Sequence, residues 1–304
     1  MPLFWISLAV LLQAHSPDEI RLGTAAQASP RPRECRGGVG SADGLWLRAH
    51  GGDVQRYCDV LARGYARLES DPGEARAAAV TAAQIAGDVA VVRVLAGRAA
   101  LRSNQSAEAL DQFVHAEAED PAAFADPRAL HDYARAAALQ GKSALAVRLY
   151  RSLASRSALF DDTREVAFVE LEAAAEVLAY VPDGSEEALG YLAQARQHSL
   201  GLSPWIKALT QLVAVRAGHA SAHAGSALPR LATLAAALTA GPAPGLILPP
   251  GELDALAAVL TDPRDSAGAR AHWEAFTSHA SADNIWLADA RKRATLAANK
   301  APKP

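Results

Sequence analysis

The chain has 304 residues, enough for one large domain or two small ones. Its 30 Lys and Arg against 33 Asp and Glu leave a net charge of −3, a balance that argues against a nucleic-acid-coating protein or a polybasic membrane binder. Half of the residues are apolar, which excludes disorder throughout, while 6% aromatics and few β-branched runs argue against a sandwich or barrel. Alanine supplies 72 residues and Arg outnumbers Lys 25 to 5, the coding bias of a GC-rich genome. A single Ala at a given position therefore carries little weight.

Residues 3–12, LFWISLAVLL, form an apolar run too short for a bilayer and suited to the h-region of a signal peptide. Residues 1–16 are expected to be that peptide, with Ala14 ahead of the cleavage point and the chain periplasmic or secreted. The stretch before the run has no Lys or Arg, which keeps a buried first helix and a cytoplasmic location as alternatives. No later segment reaches 18 apolar residues, so no span is expected in the mature chain. Residues 17–44 mix charge, Pro and Gly and read as a linker. Cys35 and Cys58 are the two cysteines, with no CxxC or Cys/His cluster that would hold zinc. Export and an even count suggest a disulfide; the alternative is two unrelated thiols.

From about residue 45 the pattern is helical, with apolar residues at three- and four-residue spacing. The breakers are Asp71-Pro72, Ser103-Asn104, Asp120-Pro121, Gln140-Gly141, Pro182-Asp183-Gly184 and Gly201. A denser break at 241–252, GPAPGLILPPGE, separates repeats over 45–240 from a last repeat and closing helix over 253–298, with 299–304 as a tail.

Helices paired by short turns call for a search for repeats. Ala109, Phe113 and Ala116 fall at offsets 0, 4 and 7. Ala146, Tyr150 and Leu153 repeat them, as do Ala188, Leu192 and Ala195; Ala227, Leu231 and Leu234; and Ala269, Trp273 and Phe276. Ala75, Ala79 and Ala82 form a weak first copy, and successive units lie 34, 37, 42, 39 and 42 residues apart. Three residues before the anchor stand Ser106, Ser143, Ser185 and Ser266, which did not set the register. Serine there is expected to cap a helix N-terminus.

On these residues the chain resembles the tetratricopeptide-repeat family. Gly97 and Ala109 match the family's small positions, as do Ala134 and Ala146 one unit later. Leu130 and Tyr133 match large positions of a first helix, and Pro121 matches the stop of a second. The resemblance is good over 90–158 and partial over 159–240 and 251–297. It implies an all-α, right-handed superhelix of helical hairpins whose first helices line a concave working face. The bland alternative is a closed helical bundle.

No P-loop, GxGxxG, HExxH or GxSxG occurs, and no cofactor is expected. His219 and His223 lack further ligands, so no metal is expected. Asp161-Asp162 and Glu186-Glu187 start helices and complement their dipoles. The resemblance puts Val94, Arg98, Leu101 and Arg102 on the concave stripe of one unit, and Arg128, His131, Arg135 and Leu139 on the next. Arg98, Arg102, Arg128, His131 and Arg135 are therefore the candidate binding residues for a protein or peptide partner with acidic character. A non-enzymatic scaffold is expected. The alternatives are an accessory helical domain and an unrecognised helical enzyme of the cell envelope, such as one acting on peptidoglycan.

Overall fold

The computed structural model describes Cys35 and residues 53–198, 202–217, 245–261 and 266–300. The expected signal peptide, the expected linker apart from Cys35, the His219–His223 pair and the repeat on Ala227 lie outside the described residues. Among the described residues twelve α-helices follow one another and no strand occurs. They are α1 (Asp53–Arg67), α2 (Pro72–Ala86), α3 (Ala90–Arg102), α4 (Ser106–Glu119), α5 (Pro127–Leu139) and α6 (Ser143–Ala154). Then come α7 (Thr163–Tyr180), α8 (Ser185–His198), α9 (Ser203–Arg216), α10 (Glu252–Leu260), α11 (Ser266–His279) and α12 (Leu287–Lys300).

The breakers act through known end chemistry. Asp71, Asp126 and Asp162 accept the backbone N–H of Glu74, Arg128 and Arg164 at 2.8–2.9 Å, satisfying donors that a first turn leaves free. Asn104 and Gly141 take positive φ, 59° and 63°, and the next residues, Gln105 and Lys142, donate back to Ala100 and Ala137 at 2.9 Å. The same left-handed ending thus closes α3 and α5, one repeat apart.

The serines correct one expectation. Ser106 and Ser143 are the first residues of α4 and α6, and neither helix has a side-chain cap. The Ser106 hydroxyl accepts from Gln140 Nε2 at 2.8 Å, and that of Ser143 donates to Asp283. The serine spacing marks where second helices start, but the Ser106 hydroxyl joins the next unit and that of Ser143 joins the segment between α11 and α12 instead of capping.

Connections of three or four residues at most joints force sequential helices to run antiparallel. Each helix packs on the next, and alternate helices also touch, α1 on α3, α3 on α5 and α7 on α9. Helices α1, α3, α5, α7 and α9 therefore form one layer, the odd-helix layer, in which Arg135 and His131 of α5 meet Glu172 of α7. The core is a chain of three overlapping clusters, around Tyr57 and Leu61, around Phe113, Tyr133 and Tyr150, and around Leu171, Ile206 and Phe276. Helix α3 feeds two clusters, through Leu95 and Ala99 on one side and Val94 and Ala100 on the other. This is the neighbour-to-neighbour burial of a repeat-like array.

Small residues set the spacing. A Cβ on Gly97 would lie 2.7 Å from the Phe113 ring, which is fully buried against Phe124 and Tyr133. Cys35 is disulfide-bonded to Cys58 on α1, with Cα atoms 5.5 Å apart.

Helix α7 differs from the rest. Every residue from Val166 to Ala179 is buried, including Glu170, Glu172 and Glu176. A helix buried all round has neighbours on every side. Helices α6, α8 and α9 pack on it, and its C-terminal turn receives the Ile285 N–H on Ala179 O and the Trp286 indole N–H on Leu178 O. Its remaining face meets a non-helical strap, Gly245–Pro250, that leads into α10.

Candidate interaction surface

The five candidate residues fall on α3 and α5, within the odd-helix layer. The structure gives each an internal carboxylate. Arg98 Nε donates to Asp132 at 2.7 Å, and its Nη1 lies 3.3 Å from Asp126. Arg102 Nη1 reaches the other oxygen of Asp132 at 2.8 Å, while its Nε and Nη2 hold Glu69 at 2.8–3.0 Å. Arg128 Nε donates to Glu165 at 2.8 Å. Arg98 and Asp132 are 5% and 3% exposed, so this pair belongs to the interior and not to a solvated face.

Asp132 sits between two guanidinium groups. Burial alone would raise its pKa, but Arg102 and Arg98 outweigh that and hold the carboxyl well below the usual range. Asp132 in turn holds Arg102 firmly protonated.

Glu172 on α7 is a second hub. Its carboxylate accepts from Arg135 Nε and Nη2 at 3.1 and 2.7 Å, from His131 Nε2 at 2.7 Å, from Tyr150 OH at 3.0 Å and from the Ile247 backbone N–H at 2.9 Å. Burial opposes its charge, yet Arg135 and His131 bring its pKa down to about 2. Burial and the adjacent Arg135 lower the His131 pKa, which favours the neutral ring. A carboxylate only accepts, so the His131 proton facing it is on Nε2. Arg135 also donates through Nη2 to the carbonyl of Gly245.

The other carboxylates of α7 are poorly served. Glu176, one turn beyond Glu172, leaves Oε2 without a partner. Burial and the facing Glu172, Glu252 and Asp283 push its pKa up to about 8. Both oxygens of Glu170 are buried without a partner, and burial pushes its pKa up to about 7. At the start of α10, Glu252 accepts from Arg216 at 2.9 Å and Asn284 at 3.0 Å, leaving Oε2 unmatched. The Arg216 guanidinium lies 5.1 Å from the Trp286 ring centre. Among the described residues no group of three His, Cys, Asp or Glu is arranged to hold a metal ion.

The cations were legible in the sequence; their carboxylates were overlooked. The signal was present, because the pairs span one repeat: Arg98–Asp132, Arg102–Glu69, Arg128–Glu165, Arg135–Glu172, Arg151–Glu187 and Arg216–Glu252 lie 34, 33, 37, 37, 36 and 36 residues apart. The register that lines up arginines on one helix lines up carboxylates on the equivalent turn of a neighbouring unit. Of the remaining stripe residues, Val94 is buried and Leu139 is 47% exposed.

No protein-family model matches the chain, and no curated protein shows detectable similarity to it. The functional reading therefore rests on the geometry of the layer itself.

Proposed function

We propose that the chain is a non-enzymatic scaffold of tetratricopeptide-like hairpins, wound as a right-handed superhelix, that binds a peptide or protein partner on the layer formed by α1, α3, α5, α7 and α9. The observation that carries this reading is the strap. A non-helical segment lies on α5 and α7, with one backbone carbonyl taken by Arg135 and one backbone N–H taken by Glu172. Main-chain groups of that kind are common to every peptide, so a surface that satisfies them in this chain has the chemistry to satisfy them in another. The arginines expected to attract an acidic partner are already neutralised by internal carboxylates. Recognition is therefore assigned to apolar and main-chain contacts. The Cys35–Cys58 bridge supports an oxidising compartment, periplasmic or extracellular.

The test is selection of random twelve-residue peptides on the immobilised full chain. Two exposed apolar residues report the face used: Leu139 on α5, and Val114 on α4, in the other layer. Enriched peptides are expected to lose binding to Leu139→Glu and keep it with Val114→Glu. No enrichment, or the opposite pattern, would overturn the reading.

A further inference from the structure

The strap has the composition of a ligand. Leu246 is 5% exposed and joins the core cluster that includes Leu171 and Ile206, and Leu248 packs against the same cluster. Pro249 is buried, while Gly245 and Pro250 are exposed. Pro249 and Pro250 have no N–H and force the residues before them into extended backbone, so this stretch neither continues a helix nor pairs as a strand. Gly251, at φ 84°, turns the chain into α10, where a Cβ would meet the Ala280 backbone nitrogen at 2.9 Å.

The face under the strap is not sealed at low cost. Glu172 satisfies its charge partly through the strap amide. Glu176, on the same face one turn away, keeps an unpartnered buried oxygen, as does Glu252 at the strap's end. Lifting the strap would let water reach groups that the closed state leaves unmatched, which offsets part of the cost of exposing Leu246 and Leu248. A segment held by a few apolar side chains over such a face belongs to the low-stability end of a structure.

Resting on the proposed peptide-binding reading of this layer, we infer that Gly245–Pro250 occupies that site in cis. Its partner is then a non-helical peptide of the same kind, three apolar residues followed by proline, which binds by displacing the strap. The Arg135 guanidinium and the Glu172 carboxylate are the main-chain hooks for either occupant, and the Leu246 site is the side-chain pocket. The strap holds the surface closed until the partner competes successfully.

The probe is a synthetic, end-blocked peptide of the strap's own sequence, GLILPPG, labelled for fluorescence anisotropy. It is titrated into the full-length protein and into full-length Leu246→Asp, which puts a charge where the strap buries an apolar side chain. Binding to the variant is expected to be at least about tenfold tighter, as follows if the open form is a tenth or less of the wild-type population. Equal affinity for both proteins overturns the inference. If the variant fails to fold by circular dichroism, amide exchange in the wild type decides. The Ile247 N–H is expected to exchange at least about a hundredfold faster than amides of α7, through opening that spares the helices. Exchange of Ile247 only with global unfolding overturns the inference, as does a wild-type dimer that the free peptide splits, which would assign the strap to a second copy. A failed strap test alongside selected peptides that depend on Leu139 leaves the scaffold reading intact; failure of the selection removes that reading itself.

Discussion

Replacing Glu176 with Gln should stabilise the protein, by an amount that depends on pH. The side chain is 2% exposed, and burial with Glu172, Glu252 and Asp283 around it raises its pKa from 4.5 to about 8. A carboxyl whose folded pKa is raised stays neutral in the native state while the unfolded chain ionises. Below pH 4.5 both states hold the proton and nothing is lost. Between pH 4.5 and 8 the unfolded state gains about 1.4 kcal/mol per pH unit, and above 8 the difference levels off. At pH 7 this amounts to about 3 kcal/mol against folding. Glutamine has the same shape and no titration, but it buries an amide, which takes back about 1 kcal/mol. Urea unfolding followed by circular dichroism should show Glu176→Gln about 2 kcal/mol more stable than wild type at pH 7, with the advantage gone at pH 4. Glu170 titrates in both proteins and cancels in the difference. A pH-independent difference, or a variant less stable at pH 8, would refute the placement of Glu176 among these carboxylates.

Asp132 and Glu172 shift the opposite way, so their contribution is present above about pH 4 and lost as pH falls through their folded values. With Glu170 and Glu176 opposing folding above that point, urea midpoints should peak at about pH 4 to 5; a peak above pH 7 would contradict the network. Asp132→Asn leaves the buried Arg98 and its neighbour Arg102 short of a counter-charge and should cost about 3 kcal/mol in the same assay. Gly97→Val drives a branched side chain into the Phe113 ring and should cost at least about 2 kcal/mol, with a thermal midpoint several degrees lower. Thiol titration of unreduced, denatured protein should find no free thiol, and reducing Cys35–Cys58 should lower stability by about 3 kcal/mol in the chain-entropy model.

What the sequence revealed was what repeats. The 3.6-residue period placed α3 to α6 between their breakers, because Asp-Pro, Asn and Gly act through local backbone chemistry that a short window contains. The anchor pattern found the core, since Phe113, Tyr150, Leu192 and Phe276 are all buried. The serine spacing marks helix boundaries, but at Ser106 and Ser143 it does not mark a cap, because these hydroxyls bond to groups 34 and 140 residues away. The arginine stripe does lie on α3 and α5, but its charge is balanced inside the chain by Asp132, Glu165 and Glu172. A side chain's charge is local, while its partner is set by the register between repeats, as in Arg98–Asp132 and Arg135–Glu172. The strap was visible only as a Pro/Gly break. Its contacts with Arg135 and Glu172 cross 110 and 75 residues, beyond the reach of any periodic argument.

A partner bound on the odd-helix layer would contact α5 and α7 and compete with the strap. Hydrogen-exchange mass spectrometry of the full chain, with and without a peptide taken from the selection, reads both effects at once. Exchange is expected to slow in peptides from α5 and α7 and to rise over Gly245–Pro250 as the strap is displaced. Slowing confined to α2, α4, α6 and α8, with the strap unchanged, would contradict binding on the odd-helix layer.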